Sequence, residues 1–269
     1  MNIDHYAETL LHQGDLDHKL ISPKLVTSFN KFQLQNIPDL PGRCEKMKIS
    51  DERVSFPKNL TDLNQRAKAL HFFANHELLA IEMLAAALLK FDLDETAQKI
   101  VLATIADEQK HFRLYCERMK DFGCEFGDYP VNDFFWRQLL KIETFESFYA
   151  LVALSLEQAN LDFAQYYKDV FIRLGDPQTA NVLDIVLKDE ERHVHFGIDH
   201  LASKIENSEE LWDYYQQLLP YNFTPARARG NMFNEQSRIN AGFPEHYIEK
   251  IKNFKDEYKI VNRKQWKQK

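Results

Sequence analysis

Residues 107–111 read Asp107-Glu108-Gln109-Lys110-His111, and a near copy occurs at Asp189-Glu190-Glu191-Arg192-His193. Each copy contains Glu-x-x-His. On an α-helix, positions i and i+3 share one face, so the carboxylate and the imidazole point the same way. One such pair arises easily by chance. Two copies, each preceded by a further Glu about one helix earlier, indicate the ligand set of a four-helix bundle that holds two metal ions.

The two further carboxylates lie in apolar surroundings. Glu82 is the one charged residue in the segment 78–89, and Glu157 ends the largely apolar segment 148–157. Burying an unpaired carboxylate costs about several kcal/mol or forces the group neutral, so each of them is expected to have a partner. A metal ion is one such partner.

Glu77 is the competing candidate for the first position. It lies five residues before Glu82, about 140° round a helix, so both carboxylates cannot face one site. Glu77 has His76 and Asn75 beside it and therefore stands in a less apolar place. We favour Glu82 as the ligand on this ground.

The pattern predicts an all-α fold, a four-helix bundle with one long crossover between its second and third helices. Asp176 and Pro177 form a good start for the last of these helices, because Asp caps helix N-termini and Pro favours the first helical position. The order of the motifs along the chain is Glu, Glu-x-x-His, Glu, Glu-x-x-His. The predicted helices run from about Thr61 to Phe91, Glu95 to Asp121, Glu143 to Leu174 and Pro177 to Ile205.

The chain of 269 residues is long enough for one sizeable core, and we expect a single domain, 1–269. Within it, 1–60 forms an N-terminal helical extension and loop, and 61–206 forms the bundle. Residues 207–269 form an irregular C-terminal extension that packs on the bundle and ends in a helix. The sequence indicates no chemistry for the N-terminal extension.

The bundle would place six side chains around two ions. Four carboxylates contribute about −4 and two divalent cations about +4, so the metals would neutralise a cluster that otherwise repels itself. Without metal, some of the carboxylates should take up protons. Oxygen-rich sites with two imidazoles favour iron, or else manganese, over zinc. The expected ligands are the bridging Glu108 and Glu190, then Glu82 with His111, and Glu157 with His193.

A second set of residues is expected behind these ligands. Asp107 and Asp189 could accept a hydrogen bond from the far ring nitrogen of a metal-bound histidine, and we expect the pairs to cross, Asp107 with His193 and Asp189 with His111. Tyr115 lies one turn beyond His111 and could donate a hydrogen bond, although it could equally be an ordinary core tyrosine. His71 could line the same interior, with a hydrogen-bonded core histidine as the alternative.

Composition and net charge limit the binding partners and the cellular compartment that we expect for the protein. The formal net charge of −7 argues against DNA binding. The basic C-terminal helix, with eight Lys or Arg against three acids from Glu249 onward, leaves RNA contact open, although a solvated surface is the simpler explanation. The three cysteines form no Cys-x-x-Cys pair, the N-terminus has no signal-peptide pattern, and the apolar run at 78–89 is too short for a bilayer. We expect a cytoplasmic protein without a membrane partner, and a homodimer is left open.

These motifs resemble the ferritin-like superfamily of di-iron carboxylate proteins, and more closely the bacterial ferritin-like family catalogued as domain of unknown function 455. Cys44 departs from the pattern, since a proline would be expected there. A more distant similarity is to the tRNA-modifying di-iron hydroxylases. The matching segments are Pro41-Gly42-Arg43, 76–82, 106–112, 189–197, 225–234 and Ala241-Gly242-Phe243.

The resemblance implies a di-metal protein whose reaction is not specified. The first expectation is an oxidase or hydroxylase that activates O2 or peroxide and acts on a small-molecule substrate. A ferroxidase or metal-handling protein is the second, and a non-enzymatic helical scaffold stabilised by metal is the third. Arginines 227, 229 and 238 would imply an anionic substrate if they line the mouth of the bundle, but they could instead attach the C-terminal tail.

Overall fold

The computed structural model describes residues 1–29, 36–221 and 223–256. Within these ranges the fold is all-helical, as predicted: no β-strand occurs there, and β-type pairing is limited to two isolated bridges. Four short 3-10 turns lie between the α-helices. The α-helices are α1 (Ile3–His12), α2 (Leu16–Lys19), α3 (Leu63–Lys90), α4 (Glu95–Lys120), α5 (Phe134–Leu139), α6 (Phe145–Leu151), α7 (Gln158–Arg173), α8 (Pro177–Ala202), α9 (Leu211–Leu218), α10 (Glu235–Asn240) and α11 (Glu245–Asn253).

Two of the long helices begin near the predicted starts, and an aspartate caps each of them. The side chain of Asp62 accepts a hydrogen bond from the backbone N–H of Asn64 at 2.8 Å, at the start of α3. Asp176 does the same for the N–H of Thr179 at 3.0 Å, and Pro177 is the first residue of α8. The bounds of α3, α4 and α8 agree with the predicted ones to within a few residues.

The third long helical segment contains a π-helical insert that the sequence did not indicate. Residues Val152–Glu157 form this π-helix between α6 and α7. The Ser155 hydroxyl accounts for part of it, because it donates to the Ala150 carbonyl at 2.7 Å and lies 2.8 Å from the Tyr215 hydroxyl of α9. Such inserts are frequently found at functional sites, and this one ends at Glu157.

The long helices pack in pairs. Helix α3 lies along α4, α7 lies along α8, and α4 contacts α8 and so joins the pairs. The crossover between α4 and α6 contains α5, which packs on α3. Trp136 of α5 is fully buried and donates from its indole nitrogen to the Asp39 carbonyl at 2.8 Å. This contact holds the crossover against the N-terminal segment.

Helix α3 is long and apolar enough to cross a membrane, with a mean hydropathy of 1.5 in its best window, but 78% of that window is buried inside the protein. The helix also carries Glu77 and Glu82, both buried. Length and composition alone cannot distinguish a spanning helix from a core helix. Here the neighbouring helices cover α3, as expected for a core helix.

A close backbone contact folds the N-terminal segment on itself, and a buried ion pair attaches the C-terminal tail to α7. Gly42 donates to the Leu11 carbonyl at 2.8 Å, and a Cβ at Gly42 would lie 2.0 Å from the His12 carbonyl oxygen, so only glycine fits. In the tail, the fully buried Arg238 forms two hydrogen bonds with Asp162 of α7, at 2.6 and 3.0 Å. Most of the basic residues that left RNA contact open lie in 257–269, outside the described residues.

Candidate metal centre

Buried acidic and histidine side chains converge between the long helices in two overlapping groups of four. Within each group, one ligand atom from every member lies within 4.8 Å of the others, and all members are buried. Such a group could hold a metal ion. Glu108 and Glu190 belong to both groups, so the two candidate sites are adjacent and share two carboxylates. The groups are Glu77, Glu108, His111 and Glu190, and Glu108, Glu157, Glu190 and His193.

Every long helical segment contributes to this cluster. Helix α3 supplies Glu77, the π-helical insert supplies Glu157, and α4 and α8 each supply a Glu-x-x-His pair. Because i and i+3 share one face, each pair points its carboxylate and imidazole at the same space. The repeated motif therefore folds into a nearly symmetric arrangement in which α4 faces α8.

Three atoms of the cluster fit a metal better than any protein partner. The Nδ1 atoms of His111 and His193 and Oε2 of Glu190 are buried without a hydrogen bond. His193 Nδ1 lies 3.1 Å from Glu108 Oε1 and 3.6 Å from Glu190 Oε2, while His111 Nδ1 lies 3.6 Å from Glu108 Oε2. Buried polar atoms are almost always paired, and unpaired lone pairs that converge on one space are what a cation would satisfy.

The other nitrogen of each imidazole is already occupied. His111 Nε2 lies 3.0 Å from Asp189 Oδ2, and His193 Nε2 lies 3.2 Å from Asp107 Oδ2, which are the crossed contacts expected from the sequence. A carboxylate accepts the Nε2–H, so Nδ1 of each ring is directed at the cluster and becomes a metal donor once any proton on it has left. The aspartates thus determine which nitrogen is available to a metal.

Basic side chains in turn hold the two aspartates. Arg192 donates to Asp107 at 2.7 Å and to Asp189 at 2.9 Å, and Lys110 pairs with Asp189. Burial raises the pKa of Asp107, but hydrogen bonds from His193 and Arg192 outweigh it and lower the pKa to about 2. The pKa of Asp189 is lowered in the same way, by His111 and Lys110. Both aspartates are therefore anionic at neutral pH.

The pKa values of the clustered carboxylates shift in opposite directions when no metal is bound. Burial raises the pKa of Glu77 well above its usual value, and the charge of Glu108 adds to this. Burial likewise raises the pKa of Glu157. For Glu108, the effect of burial is outweighed by the neighbouring imidazoles of His111 and His193, and its pKa is lowered. As the sequence suggested, some carboxylates hold protons in the absence of a compensating cation.

The selection of Glu82 as a ligand requires correction, because Glu77 occupies its place in the cluster. Glu82 is fully buried and accepts two hydrogen bonds from Arg43, Nε to Oε1 at 2.9 Å and Nη2 to Oε2 at 2.6 Å. Lys19 Nζ lies 2.9 Å from Glu82 Oε1. Glu82 does need a partner, as its apolar surroundings indicate, but that partner is a pair of cations from the N-terminal segment. His76, a polar neighbour of Glu77, lines the same cavity and was a signal for this side of α3.

His71 also lies elsewhere, contrary to the expectation that it lines the site. Its Nε2 accepts the backbone N–H of Gly127 at 2.9 Å, and its ring stacks on Phe126 with centroids 4.7 Å apart. Burial lowers its pKa to about 4, so it is neutral. The alternative given above, a hydrogen-bonded core histidine, describes it. Tyr115, by contrast, lies beside the carboxylates, and burial together with the charge of Glu77 raises its pKa.

A cavity of about 970 Å³ connects the cluster with the surface. Its inner end is lined by Glu77, Glu108, Glu157 and Glu190 together with Tyr115, and its outer end includes exposed side chains of the crossover and the tail. Asn160, on the same face of the helical segment as Glu157, donates to Glu190 Oε1 at 2.7 Å. The buried carboxylates thus border a cavity that extends to the surface.

Comparisons with known proteins give a family but no activity. An uncharacterized protein of Haemophilus influenzae (strain ATCC 51907 / DSM 11121 / KW20 / Rd) is 27% identical over 197 residues, which cover 69% of this chain and 67% of the relative. No solved structure matches the chain. The family described as "Protein of unknown function (DUF455)" matches residues 4–249, nearly the whole length. The chain therefore belongs to the DUF455 family.

Proposed function

We propose that this protein is a ferritin-like di-metal carboxylate protein that uses O2 or peroxide to oxidise a small molecule, as an oxidase or hydroxylase. The observation that carries the proposal is the pair of four-residue groups that share Glu108 and Glu190. In ferritin-like four-helix bundles, two Glu and two Glu-x-x-His motifs from four helices form such a set. Two bound iron or manganese ions would supply the redox chemistry for O2 or peroxide.

The protein's own residues would hold the ions and fix the orientation of the imidazole ligands. Glu77 and His111 would hold one ion and Glu157 and His193 the other, between the shared carboxylates Glu108 and Glu190. Oxygen donors with two imidazoles suit iron and manganese. Asp189 and Asp107 keep the Nε2–H of each imidazole engaged, so the rings cannot turn away.

The cavity supports an enzyme rather than a store of metal. Its apolar walls would exclude bulk water from the carboxylates, and its volume is within the range of about 300–1,000 Å³ found for small-molecule sites. The π-helical insert places Glu157 in the cavity wall. There a metal ion bound by Glu157 would lie next to a substrate in the cavity. A ferroxidase, in which iron is the substrate, would need no such apolar chamber.

The direct test is the metal content of the purified protein beside that of Glu108→Ala, followed by addition of iron without oxygen and then of oxygen. We expect about two ions per chain in the unaltered protein, loss of both in the variant because Glu108 is shared, and an absorption change that requires oxygen. Metal without an oxygen response would favour a structural role. Absence of specific metal would contradict the ligand assignment.

Asp189→Asn should weaken metal binding without removing a ligand. The amide cannot replace the anionic acceptor for the Nε2–H of His111, and loss of such partners typically lowers metal affinity by about 10–100-fold. The measurement is competition with a metal-binding dye. Asp184→Asn, on the same helix but paired with Lys168 and Lys188, is the matched control and should bind metal normally. Equal behaviour of the two variants would refute the positioning role.

Metal binding should release protons. Without metal, the pKa values of Glu77, Glu157, His111 and His193 are raised, so the cluster holds protons at neutral pH, and these must leave before the ligand atoms can bind a cation. The apparent affinity should therefore rise with pH. Calorimetric titrations in two buffers of different ionisation heat should reveal about one proton or more per ion. Identical heats in both buffers would contradict the expectation.

A further inference from the structure

The outer end of the cavity differs in charge from its inner end. Four arginines line it, namely 53, 137, 227 and 229. Arg137 is paired with Asp133 at 3.0 Å, and Arg229 donates to the carbonyl oxygens of Lys252 and Phe254, so these two have partners. Arg229 thus joins two segments of the C-terminal extension to each other, whereas Arg238 attaches the extension to α7 through Asp162, which is the alternative foreseen for these arginines.

Arg53 and Arg227 are different. Both are exposed at the cavity mouth, and no carboxylate of the described residues lies within 4 Å of either guanidinium. Asp51 and Glu52 also line the mouth, but neither forms an ion pair with these arginines. Two guanidinium groups with free donors are therefore presented at the opening of a cavity whose floor is acidic.

The wall between mouth and floor is mostly aromatic. The guanidinium of Arg227 lies over the Phe134 ring, 5.9 Å from its centroid, which directs the cation along this wall. Aromatic walls of this kind hold flat or apolar groups and leave few polar contacts for orientation. Rings that line the cavity include Phe72, Phe73, Phe134, Phe135, Phe163 and Tyr167.

We propose that the cavity binds a small organic anion with an apolar or aromatic body. Its carboxylate, sulfonate or phosphate is held by Arg53 and Arg227 at the mouth, and its body extends along the aromatic wall. The arginines lie at the mouth and the aromatic rings line the wall, so this placement favours an orientation with the anionic group outward. Resting on the function proposed above, this orientation presents the uncharged end of the molecule to the metal centre.

Binding of a probe pair tests the proposal on the full chain. The probes are 1-anilinonaphthalene-8-sulfonate and its uncharged analogue N-phenyl-1-naphthylamine. Each is titrated with the protein, and the change in probe fluorescence gives its affinity. The double variant Arg53→Gln/Arg227→Gln should bind the sulfonate about tenfold more weakly, because charge-assisted hydrogen bonds are lost, and should bind the neutral probe unchanged within about twofold. Arg173→Gln, an exposed arginine outside the cavity, is the control and should match the unaltered protein for both probes.

The outcomes separate this proposal from the preceding one. Equal losses for both probes, or no loss for the sulfonate, would overturn the anion site. Both arginines are exposed, so the double variant should fold, which circular dichroism and thermal unfolding check. The metal content of the same samples is measured in parallel. A protein without metal that still discriminates the probes would refute the redox function and leave the anion site standing.

Discussion

Replacing Glu77 with glutamine should leave the protein with about one bound metal ion per chain in place of about two. Glu77 belongs to only one of the two groups, the one completed by His111, whereas His193 and Glu157 complete the other. Glutamine keeps the size of the side chain but removes the charge, so the site at His111 loses one of its three anionic ligands. Metal analysis after gel filtration gives the stoichiometry.

Two other variants provide the comparison, Glu157→Gln in the π-helical insert and Glu82→Gln in α3. Glu157→Gln should also leave about one ion, but at the site of His111, so a double variant with Glu77→Gln should leave none. Glu82→Gln should retain both ions in the fraction that folds, since Glu82 contacts Lys19 and Arg43. Loss of metal from Glu82→Gln combined with full occupancy in Glu77→Gln would restore the ligand set first favoured from the sequence.

Much of the arrangement follows from local sequence patterns. The i, i+3 pairs on α4 and α8 are local features, and helix geometry alone aligns Glu108 with His111 and Glu190 with His193. The caps at Asp62 and Asp176 are local as well. Such features depend on residues within one or two turns, so the sequence predicted them to within a few residues.

The ligand on α3 could not be determined in the same way. Apolar surroundings show that a carboxylate is buried, but they do not show what it is buried against. The partners of Glu82 come from far along the chain, Arg43 beside Gly42 and Lys19 of α2, and helix periodicity carries no information about them. His71 was misplaced for the same reason, because its partner Gly127 belongs to the crossover.

The π-helical insert shows a second limit. A sequence read at the ordinary 3.6-residue period assigns Glu157 a direction that the insert then changes. Ser155 of the insert contacts Tyr215, a residue of the C-terminal extension. The extension therefore packs against the candidate site, although its described residues supply none of the clustered acidic and histidine side chains. Family members that vary in this extension should differ in the cavity more than in the cluster.

Replacing Glu82 with glutamine should destabilise the protein more than any surface change, by about 3–5 kcal/mol in the free energy of unfolding. The side chains of Lys19 and Arg43 are 0% and 3% exposed, so the variant would bury two cations without a countercharge. Urea unfolding followed by circular dichroism measures the loss. Glu95→Gln, which breaks the exposed pair with Lys99, is the matched control and should cost about 1 kcal/mol or less.

Two further measurements establish that uncompensated charge is the cause. Lys19→Met in the Glu82→Gln background removes one of the stranded cations and should recover part of the lost stability. Raising the pH should also recover part of it, because burial lowers the pKa of Lys19, which Glu82 opposes, and without Glu82 the amine can lose its proton more readily. If neither change restores stability, the loss comes from packing around Glu82, and the carboxylate would then have no electrostatic role in joining the N-terminal segment to α3.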